Sequence, residues 1–319
     1  RLVKQFGGEN DSVWYYLNQP RRLKVFDHKL ITKDTTFSTM DSIRYMNHFL
    51  HTGFLAMEPG SGYVKAWVGD INYDFWQYDK VAQSKRQPGS TFKLFVYTAA
   101  IENGIAPCDK RIDQPVKWEY IEKGQPKVWE PKNADWAYRG SVTLKHAFAR
   151  SINTVAVQLA QEVGIKEVIK YAHKLGVKTP LEDMPSTSLG SSDVSLYELV
   201  NSFGTIINEG QHTEPVLVTR IEDRNGKLIY TPAKTTKRVI PYQTAWLMTE
   251  LLKGGMTEPG GTSQALWEWD LFNYDTDFGG KTGTSSNHSD AWFVGVTKNL
   301  IAGAWVGGEH RSVHFRTGR

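Results

Sequence analysis

The sequence predicts an α+β fold in which a mostly antiparallel sheet is combined with a helical insert. Strand-like runs lie near both ends of the chain, at 54–57, 63–68, 279–284, 291–297 and 301–306. The residues between these two groups carry mainly helical patterns, and strands and helices do not alternate as they do in repeated βαβ units. We therefore expect the two ends of the chain to form one sheet and the middle to form the helical part.

The early elements follow from capping and turn signals. Residues 1–37 are polar and aromatic, and we expect a linker or a small accessory segment there. Ser38 or Asp41 is suited to cap a helix that continues to Leu50. The letters PGSG at 59–62 then separate the first two strand-like runs, which predicts a hairpin.

The middle of the chain is predicted to be helical around one buried helix. Residues 90–102 are apolar on all sides, which is typical of a central helix, and Asn103-Gly104 ends it. Residues 105–140 are rich in Pro, Trp and Lys, so we expect a long surface excursion. Further helices are predicted at 142–150, 154–163, 166–175, 194–209 and 241–253, and a hairpin at 216–230 around Arg224-Asn225-Gly226.

Composition excludes several classes of protein. The 319 residues are 40% hydrophobic, which argues against disorder, and the net charge of +4 is spread without the basic run of a nucleic-acid-binding protein. Cys108 is the one cysteine, so no internal disulfide can form. No apolar run is long enough to span a bilayer and no signal peptide opens the chain. We expect a piece of a longer protein, from which a membrane anchor or a second catalytic domain could be absent.

The first chemical motif is the Ser90-x-x-Lys93 pair in "RQPGSTFKLF". Residues three apart share one face of a helix, so the hydroxyl and the amine should be neighbours. Burial among Phe92 and Phe95 disfavours the charged amine and lowers its pKa, which would let Lys93 act as a base for Ser90. The alternative is a helix-capping Ser90 beside a lysine that extends to solvent.

The second motif is Ser151-x-Asn153, between two predicted helices. Residues two apart do not share a helix face, so both side chains can point the same way only if the segment is a connection. The hydroxyl of Ser151 could relay a proton, and the amide of Asn153 could hold a substrate amide. The alternative is that Asn153 only caps the helix that follows.

The third motif is "FGGKTGTSSNHSDAWFVGV", which contains Lys281, Thr282, Gly283 and Thr284. Glycines are unusual in a strand unless another backbone approaches closely, and a peptide-like substrate could add along such an edge. Lys281 and the threonine hydroxyls suit a carboxylate, and the N–H groups of Thr284 and Ser90 suit an oxyanion hole. Alternation puts Lys281 and Thr282 on opposite faces, so both can serve one cleft only from an edge strand. The alternative is a glycine-rich turn with a solvated lysine.

The three motifs in this order resemble those of the penicillin-recognising serine enzymes. The longer stretches "RQPGSTFKLFVYTAAIENG", "WEPKNADWAYRGSVTLKHAFARSINTVAVQLA" and "GGKTGTSSNHSDAWFVGVT" resemble the transpeptidase domain of bifunctional class A penicillin-binding proteins, from about residue 50 to the end. The resemblance implies a five-stranded antiparallel sheet flanked by helices, with an all-helical subdomain. It implies a linker or accessory segment over 1–37 and a transpeptidase domain over 38–319.

The resemblance also implies a reaction and a location. Ser90 would be acylated by the D-Ala-D-Ala end of a peptidoglycan stem peptide or by a β-lactam, and an amine from a second stem would complete the cross-link. Lys93 would be the base, Ser151 the proton relay, and Asn153 the amide-binding residue, while the carboxylate would bind at Lys281-Thr282-Gly283-Thr284. No cofactor, metal or nucleic acid is implied. The site would lie in the bacterial cell envelope, outside the plasma membrane, with cell-wall synthesis proteins as further partners.

The chain departs from that family pattern in three places. The family's glycosyltransferase domain is absent, Leu94 stands where many relatives carry proline, and the helix that usually follows the last strand is missing. We expect one face of the sheet to be exposed without that helix.

Three alternative functions share the motifs. A serine β-lactamase would need a carboxylate that holds a hydrolytic water, for which Glu182 and Asp183 are the candidates. A D,D-carboxypeptidase would use water as the acceptor, and a non-catalytic penicillin-binding receptor would keep the fold without turnover. Trp118, Trp129 and Trp136 could line a cleft for glycan or peptide, although tryptophans more often serve packing.

Overall fold

The computed structural model describes residues 10–233, 235–269 and 277–317. In this part of the chain the α-helices are α1 (Asn10–Asn18), α2 (Thr39–Met46), α3 (Lys93–Glu102), α4 (Leu144–Ala149), α5 (Asn153–Val163), α6 (Ile165–Leu175), α7 (Leu196–Ile207) and α8 (Tyr242–Thr257). Short 3₁₀ helices lie at Gly89–Phe92, Pro185–Leu189, Gln264–Glu268 and Ser286–His288.

The strands lie before and after the helical stretch 144–207, and most are short. They are β1 (Arg21–Asp27), β2 (Ile31–Phe37), β3 (Leu50–Met57), β4 (Val64–Val68), β5 (Lys110–Asp113), β6 (Trp118–Glu122), β7 (Gln125–Trp129), β8 (Gly140–Thr143), β9 (Gln211–Thr213), β10 (Ile221–Glu222), β11 (Leu228–Tyr230), β12 (Thr236–Arg238), β13 (Gly279–Thr284), β14 (Asp290–Val296) and β15 (Ile301–Gly308).

Strands from both ends of the chain form one five-stranded antiparallel sheet, as the sequence predicts. Its order is β13-β14-β15-β3-β4, so β13 is an edge strand. The register aligns Thr282 with Phe293, Phe293 with Ala304, and Ala304 with Phe54 across four strands. This order brings the third motif, near the end of the chain, to an open edge.

Helices cover one face of the sheet. Helix α7 packs on β15 and β3, and α8 packs on β13. Helix α3 lies among α5, α6 and α8 and is buried all round from Lys93 to Ala100, which confirms the predicted central helix. Its N-terminal 3₁₀ turn contacts β13, and this contact places the first motif against the third.

The other face of the sheet is less protected. The aligned residues Phe54, Ala304 and Phe293 are only half-buried, whereas their neighbours Leu55, Trp305 and Trp292 on the helical face are buried. In the described part of the chain this face is less covered than the helical face, but it is half-buried rather than exposed as expected from the sequence.

The predicted helix at 38 is present but shorter than expected. Ser38 is the N-cap and Asp41 closes a capping box with it, so the two candidate caps act together. The helix ends at Met46 rather than Leu50, because Leu50 already pairs with Gly308 as the first residue of β3.

The hairpin expected over 216–230 is also shorter. Only β10 and β11 pair there, on either side of a turn that contains Arg224-Asn225-Gly226. Val216 forms a separate parallel bridge with Tyr63, so tertiary pairing takes the start of the predicted strand.

The segment 105–140 is only partly a surface excursion. It carries β5, which pairs with β8, and the hairpin β6–β7. Two of its polar residues, Asp113 and Asn133, are buried, which the expectation of a surface excursion did not include. The segment 1–37 holds α1 from residue 10 onward and the hairpin β1–β2, and residues 1–9 lie outside the described part. Within the described residues, the helices are too short or too polar for any of them to cross a membrane.

Candidate active site

Ser90 and Lys93 occupy one turn at the start of the central helix. The turn is a 3₁₀ helix over Gly89–Phe92. The α-helix therefore begins at Lys93, three residues later than the predicted start at Ser90. The backbone N–H of Lys93 donates to the carbonyl of Ser90. Side chains three apart lie on the same side of a 3₁₀ turn, so Ser90 and Lys93 share one face.

The capping alternative for this motif is wrong. The residues at the N-cap positions are Pro88 and Phe92, and neither helix start has a side-chain cap. Lys93 does not extend to solvent, because its exposed fraction is 0%.

The amine of Lys93 meets the second motif. Its Nζ lies 2.6 Å from the Ser151 carbonyl, 3.1 Å from Ser151 Oγ and 2.7 Å from Asn153 Oδ1. In the described part of the chain no carboxylate pairs with it. Burial, together with the nearby charge of Lys281, lowers the pKa of Lys93 well below the ordinary lysine value.

Lys281 reaches the same hydroxyl from the sheet. Its Nζ lies 2.9 Å from Ser151 Oγ and 3.2 Å from the Thr282 carbonyl, and the side chain is buried against the ring of Phe148. Burial lowers the pKa of Lys281 to about 7. The sequence predicts that Lys281 supplies positive charge to the site. With a pKa of about 7, Lys281 loses this charge close to neutral pH.

The hydrogen bonds among Lys93, Lys281 and Ser151 are all satisfied if Lys93 is neutral and Lys281 is charged. A neutral amine has two N–H donors and one lone pair, and the oxygens of Ser151 C=O and Asn153 Oδ1 can only accept. Those two oxygens take the two N–H groups, and the lone pair accepts from the Ser151 hydroxyl. The hydroxyl oxygen in turn accepts from Lys281. Every hydrogen bond then has one donor and one acceptor.

Ser151 lies in a connection, as the second motif requires. It follows α4 and precedes α5 with φ of 59°, in the left-handed region that non-glycine residues rarely adopt. This backbone lets both Ser151 Oγ and Asn153 Oδ1 face Lys93. The capping alternative for Asn153 is wrong, because Ile152 is the N-cap and Asn153 is the first residue of α5.

The third motif lies on the edge strand, where its glycines permit close backbone approach. A Cβ on Gly283 would lie 2.4 Å from the Pro88 carbonyl oxygen, and one on Gly89 would lie 2.2 Å from the Thr284 carbonyl oxygen. Gly89 also has φ of 53°. Neither position tolerates a side chain, so the turn that carries Ser90 lies directly against the backbone of Gly283 and Thr284.

The residues of the third motif divide between the two faces of the strand. Lys281 and Gly283 face the helices, and strand alternation puts Thr282 and Thr284 on the opposite side. The threonines are half-buried. The structure therefore brings Lys93, Ser151, Asn153 and Lys281 into direct contact, places Ser90, Gly283 and Thr284 beside them through the backbone, and leaves Thr282 on the other face of the edge.

A buried polar network that the sequence did not reveal holds Asn153. The Asn133 side-chain oxygen accepts from the backbone N–H of Asn153 at 2.9 Å, and its Nδ2 donates to Asp113 Oδ1 at 2.7 Å. Thr154 Oγ1 donates to the same carboxylate oxygen at 2.6 Å. Little in the sequence indicates this network, because Asp113 and Asn133 lie in the stretch 105–140, which has no periodicity that would predict buried residues.

Of the predicted tryptophans, Trp136 lies near the second motif, because Lys132 has its amine over that ring and its carbonyl accepts from Asn153. Trp118 and Trp129 pair across the β6–β7 hairpin, and Trp136 is 70% exposed with Lys132 Nζ above its ring. Glu182 and Asp183 are exposed, and Asp183 pairs with Lys166 at 3.6 Å. In the described residues no group of three or more His, Cys, Asp or Glu side chains is placed to hold a metal ion.

The left-handed backbone at Ser151 predicts an order of stability for two variants. Ser151→Ala and Ser151→Gly both remove the hydroxyl, but only glycine adopts a positive φ without strain. We expect the glycine variant to be more stable than the alanine variant by about 1 kcal/mol. Denaturant unfolding of the two variants measures this difference. Equal stability, or a more stable alanine variant, would contradict the backbone conformation.

Comparison with known proteins finds two matching family models and a set of relatives. A family model described as the penicillin binding protein transpeptidase domain matches residues 52–304, and one described as the penicillin-binding protein middle domain matches residues 1–50. Penicillin-binding protein 1A of Rickettsia conorii is 32% identical over 276 residues, which cover 79% of this chain and 34% of that protein. Penicillin-binding protein 2D of Bacillus subtilis is 29% identical over 265 residues, covering 82% of this chain and 38% of that protein.

Solved structures show the same fold. Penicillin-binding protein 1A of Haemophilus influenzae aligns with a TM-score of 0.76 at 22% identity, over 91% of this chain and 46% of that one. The PonA1 protein of Mycobacterium tuberculosis in complex with penicillin V aligns with a TM-score of 0.70 at 19% identity, over 99% of this chain and 84% of that one. The chain spans about a third of the length of the curated relatives it matches. It belongs to the transpeptidase-domain family of penicillin-binding proteins, of the penicillin-binding protein 1A type.

Proposed function

We propose that this chain is a serine D,D-transpeptidase that cross-links peptidoglycan stem peptides through an acyl-enzyme on Ser90. The observation that carries the proposal is the contact of two buried lysines, Lys281 and Lys93, the latter one turn along the chain from Ser90, with the hydroxyl of Ser151. β-Lactams would acylate the same serine. The relatives' names and the penicillin V complex of PonA1 support the substrate class.

In the first step Ser90 Oγ attacks the carbonyl carbon between the last two D-alanines. Its proton passes to the neutral amine of Lys93, which burial keeps ready to accept it. The carbonyl oxygen becomes an oxyanion, which the N–H groups of Ser90 and Thr284 would stabilise. A helix N-terminus beside Ser90 favours this negative charge further.

In the second step the carbon–nitrogen bond breaks and D-alanine leaves as an amine. The leaving nitrogen needs a proton, which the Ser151 hydroxyl supplies and recovers from protonated Lys93. Asn153 stays fixed by its bonds to Lys93 and to the Lys132 carbonyl, and it is the residue proposed to hold the substrate amide. An amine from a second stem peptide then attacks the ester carbonyl and releases Ser90.

The terminal carboxylate of the substrate would bind at Lys281 to Thr284. A carboxylate near Lys281 favours the charged amine and would raise its pKa from about 7, so substrate binding and protonation reinforce each other. Thr282 and Thr284 would donate their hydroxyls from the edge of β13. Stem peptides and β-lactams remain the proposed partners, and the cell envelope outside the plasma membrane remains the proposed location.

No observation in the structure favours hydrolysis over transfer. The exposed positions of Glu182 and Asp183 do not suit a carboxylate that holds a hydrolytic water at Ser90. We keep residues 1–37 as a proposed accessory segment and residues 38–319 as the proposed transpeptidase domain.

Covalent labelling tests the proposed function directly. Incubation with benzylpenicillin should add the mass of one intact penicillin to the chain, and Ser90→Ala should abolish that adduct. Peptide mapping by mass spectrometry should place the adduct on the peptide that contains Ser90. An adduct that persists in Ser90→Ala, or a folded wild-type chain that never forms one, would contradict the proposal.

The low pKa of Lys281 predicts a pH profile for acylation. The acylation rate constant at low penicillin concentration should fall as pH rises through about 7, because Lys281 loses the charge that binds the carboxylate. Lys281→Arg keeps its charge at every accessible pH, so the falling limb should move above pH ~10. Stopped-flow measurements from pH 5 to 10 test both chains. A falling limb at the same pH in Lys281→Arg would show that another group is responsible.

A further inference from the structure

Arg86 connects the segment before the proposed nucleophile to the start of β14 and the end of β15. Its Nε donates to Asp290 Oδ1 at 2.6 Å, and its NH2 nitrogen donates to the Gly308 carbonyl at 3.0 Å. The guanidinium lies over the ring of Trp305. The Arg86 residue is 9% exposed and Asp290 is 0% exposed, so this is a buried ion pair between residues 204 apart in the chain.

The backbone from Arg86 to Gly89 is held along its whole length. The N–H and the carbonyl of Arg86 both pair with Val194, each at 3.0 Å. The carbonyl of Gln87 accepts from Trp292 Nε1 at 2.8 Å, and the N–H of Gly89 donates to the Gly190 carbonyl at 3.3 Å. Ser90 follows directly, so these contacts leave its backbone little freedom.

Asp290 connects the same ion pair to the strand that carries the third motif. Its Oδ2 accepts from Ser285 Oγ at 2.8 Å and from Ser289 Oγ at 2.9 Å, and its Oδ1 also accepts from Trp305 Nε1. Ser285 is the residue after Thr284. The ion pair therefore joins a point four residues before Ser90 to a point one residue after Thr284.

The carboxylate is charged in spite of its burial. Burial disfavours the charge of Asp290, but hydrogen bonds from Arg86, Ser285 and Trp305 outweigh it and hold the pKa below the ordinary value. Replacing a buried ion pair with apolar residues is often neutral or stabilising, so stability alone is weak reason for such a pair. A role in positioning the backbone near Ser90 explains the Arg86–Asp290 pair better.

We propose that the Arg86–Asp290 pair is a positioning device that fixes the turn of Ser90 against the edge of β13, and with it the spacing of the Ser90 and Thr284 N–H groups around the tetrahedral intermediate. Arg86 and Asp290 act through these backbones and do not touch the substrate. This inference rests on the proposed function, since it concerns the same acylation step.

Arg86→Lys tests the inference, because lysine keeps the positive charge but lacks the planar fork that reaches Asp290 and Gly308 together. We expect both acylation by benzylpenicillin and affinity for an arylboronic acid to fall about tenfold to a hundredfold. Boron becomes tetrahedral and anionic when Ser90 adds to it, so the boronic acid reports on the intermediate. The dissociation constant of the complex before acylation should stay within about twofold, since it does not involve the oxyanion.

The matched control is Arg311→Lys, which changes the exposed Arg311–Asp193 pair beside the same segment. It should leave both quantities within about twofold of wild type. If Arg86→Lys does not fold, Asp290→Asn is measured in the same way. A folded variant with wild-type acylation and boronate affinity overturns the inference, and so does a variant that loses only thermal stability or only affinity before acylation.

The outcomes separate this inference from the proposed function. A wild-type chain that forms no penicillin adduct contradicts the proposed function. A wild-type chain that forms the adduct on Ser90, beside an Arg86→Lys variant that acylates equally fast, contradicts only the positioning device.

Discussion

The contact of two buried lysines with one hydroxyl is the interaction on which the site depends. Lys93 Nζ lies 3.1 Å and Lys281 Nζ 2.9 Å from Ser151 Oγ. In the part of the chain that the structure describes, neither amine pairs with a carboxylate. Two ammonium groups could not share that space at low cost, so one of them must give up its proton. Burial and the charge of Lys281 lower the pKa of Lys93, and a neutral Lys93 is the state that a base for Ser90 needs.

The fold brings three distant segments of the chain together at Ser151. The central helix supplies Lys93, a left-handed connection supplies Ser151, and an edge strand supplies Lys281. Glycines at 89 and 283 allow the turn and the strand to approach at backbone distance, which no other residue would permit. The Asp113–Asn133 network supports the backbone of Asn153, and the Arg86–Asp290 pair joins the segment before Ser90 to β14.

The chemistry of the site was more predictable than its support. The three motifs predict Ser90, Lys93, Ser151 and Lys281, because each carries a residue type that the proposed reaction needs, and alternation along β13 predicts an edge position. The sequence could not predict that Asn133 supports Asn153, since a polar residue in an aperiodic stretch gives no sign of burial. The 3₁₀ turn at Ser90 and the positive φ of Ser151 depend on tertiary contacts, and the same holds for the low pKa of Lys281.

The protonation state of Lys93 is the most direct test of this account. Uniform ¹³C,¹⁵N labelling of the lysines allows each side chain to be titrated by NMR, and the Lys93 resonance is assigned by its loss in Lys93→Met. The account predicts a Lys93 titration midpoint well below the ordinary lysine value of 10.5, so that the amine is neutral where the enzyme works. A Lys93 amine that stays protonated up to that ordinary value would contradict it.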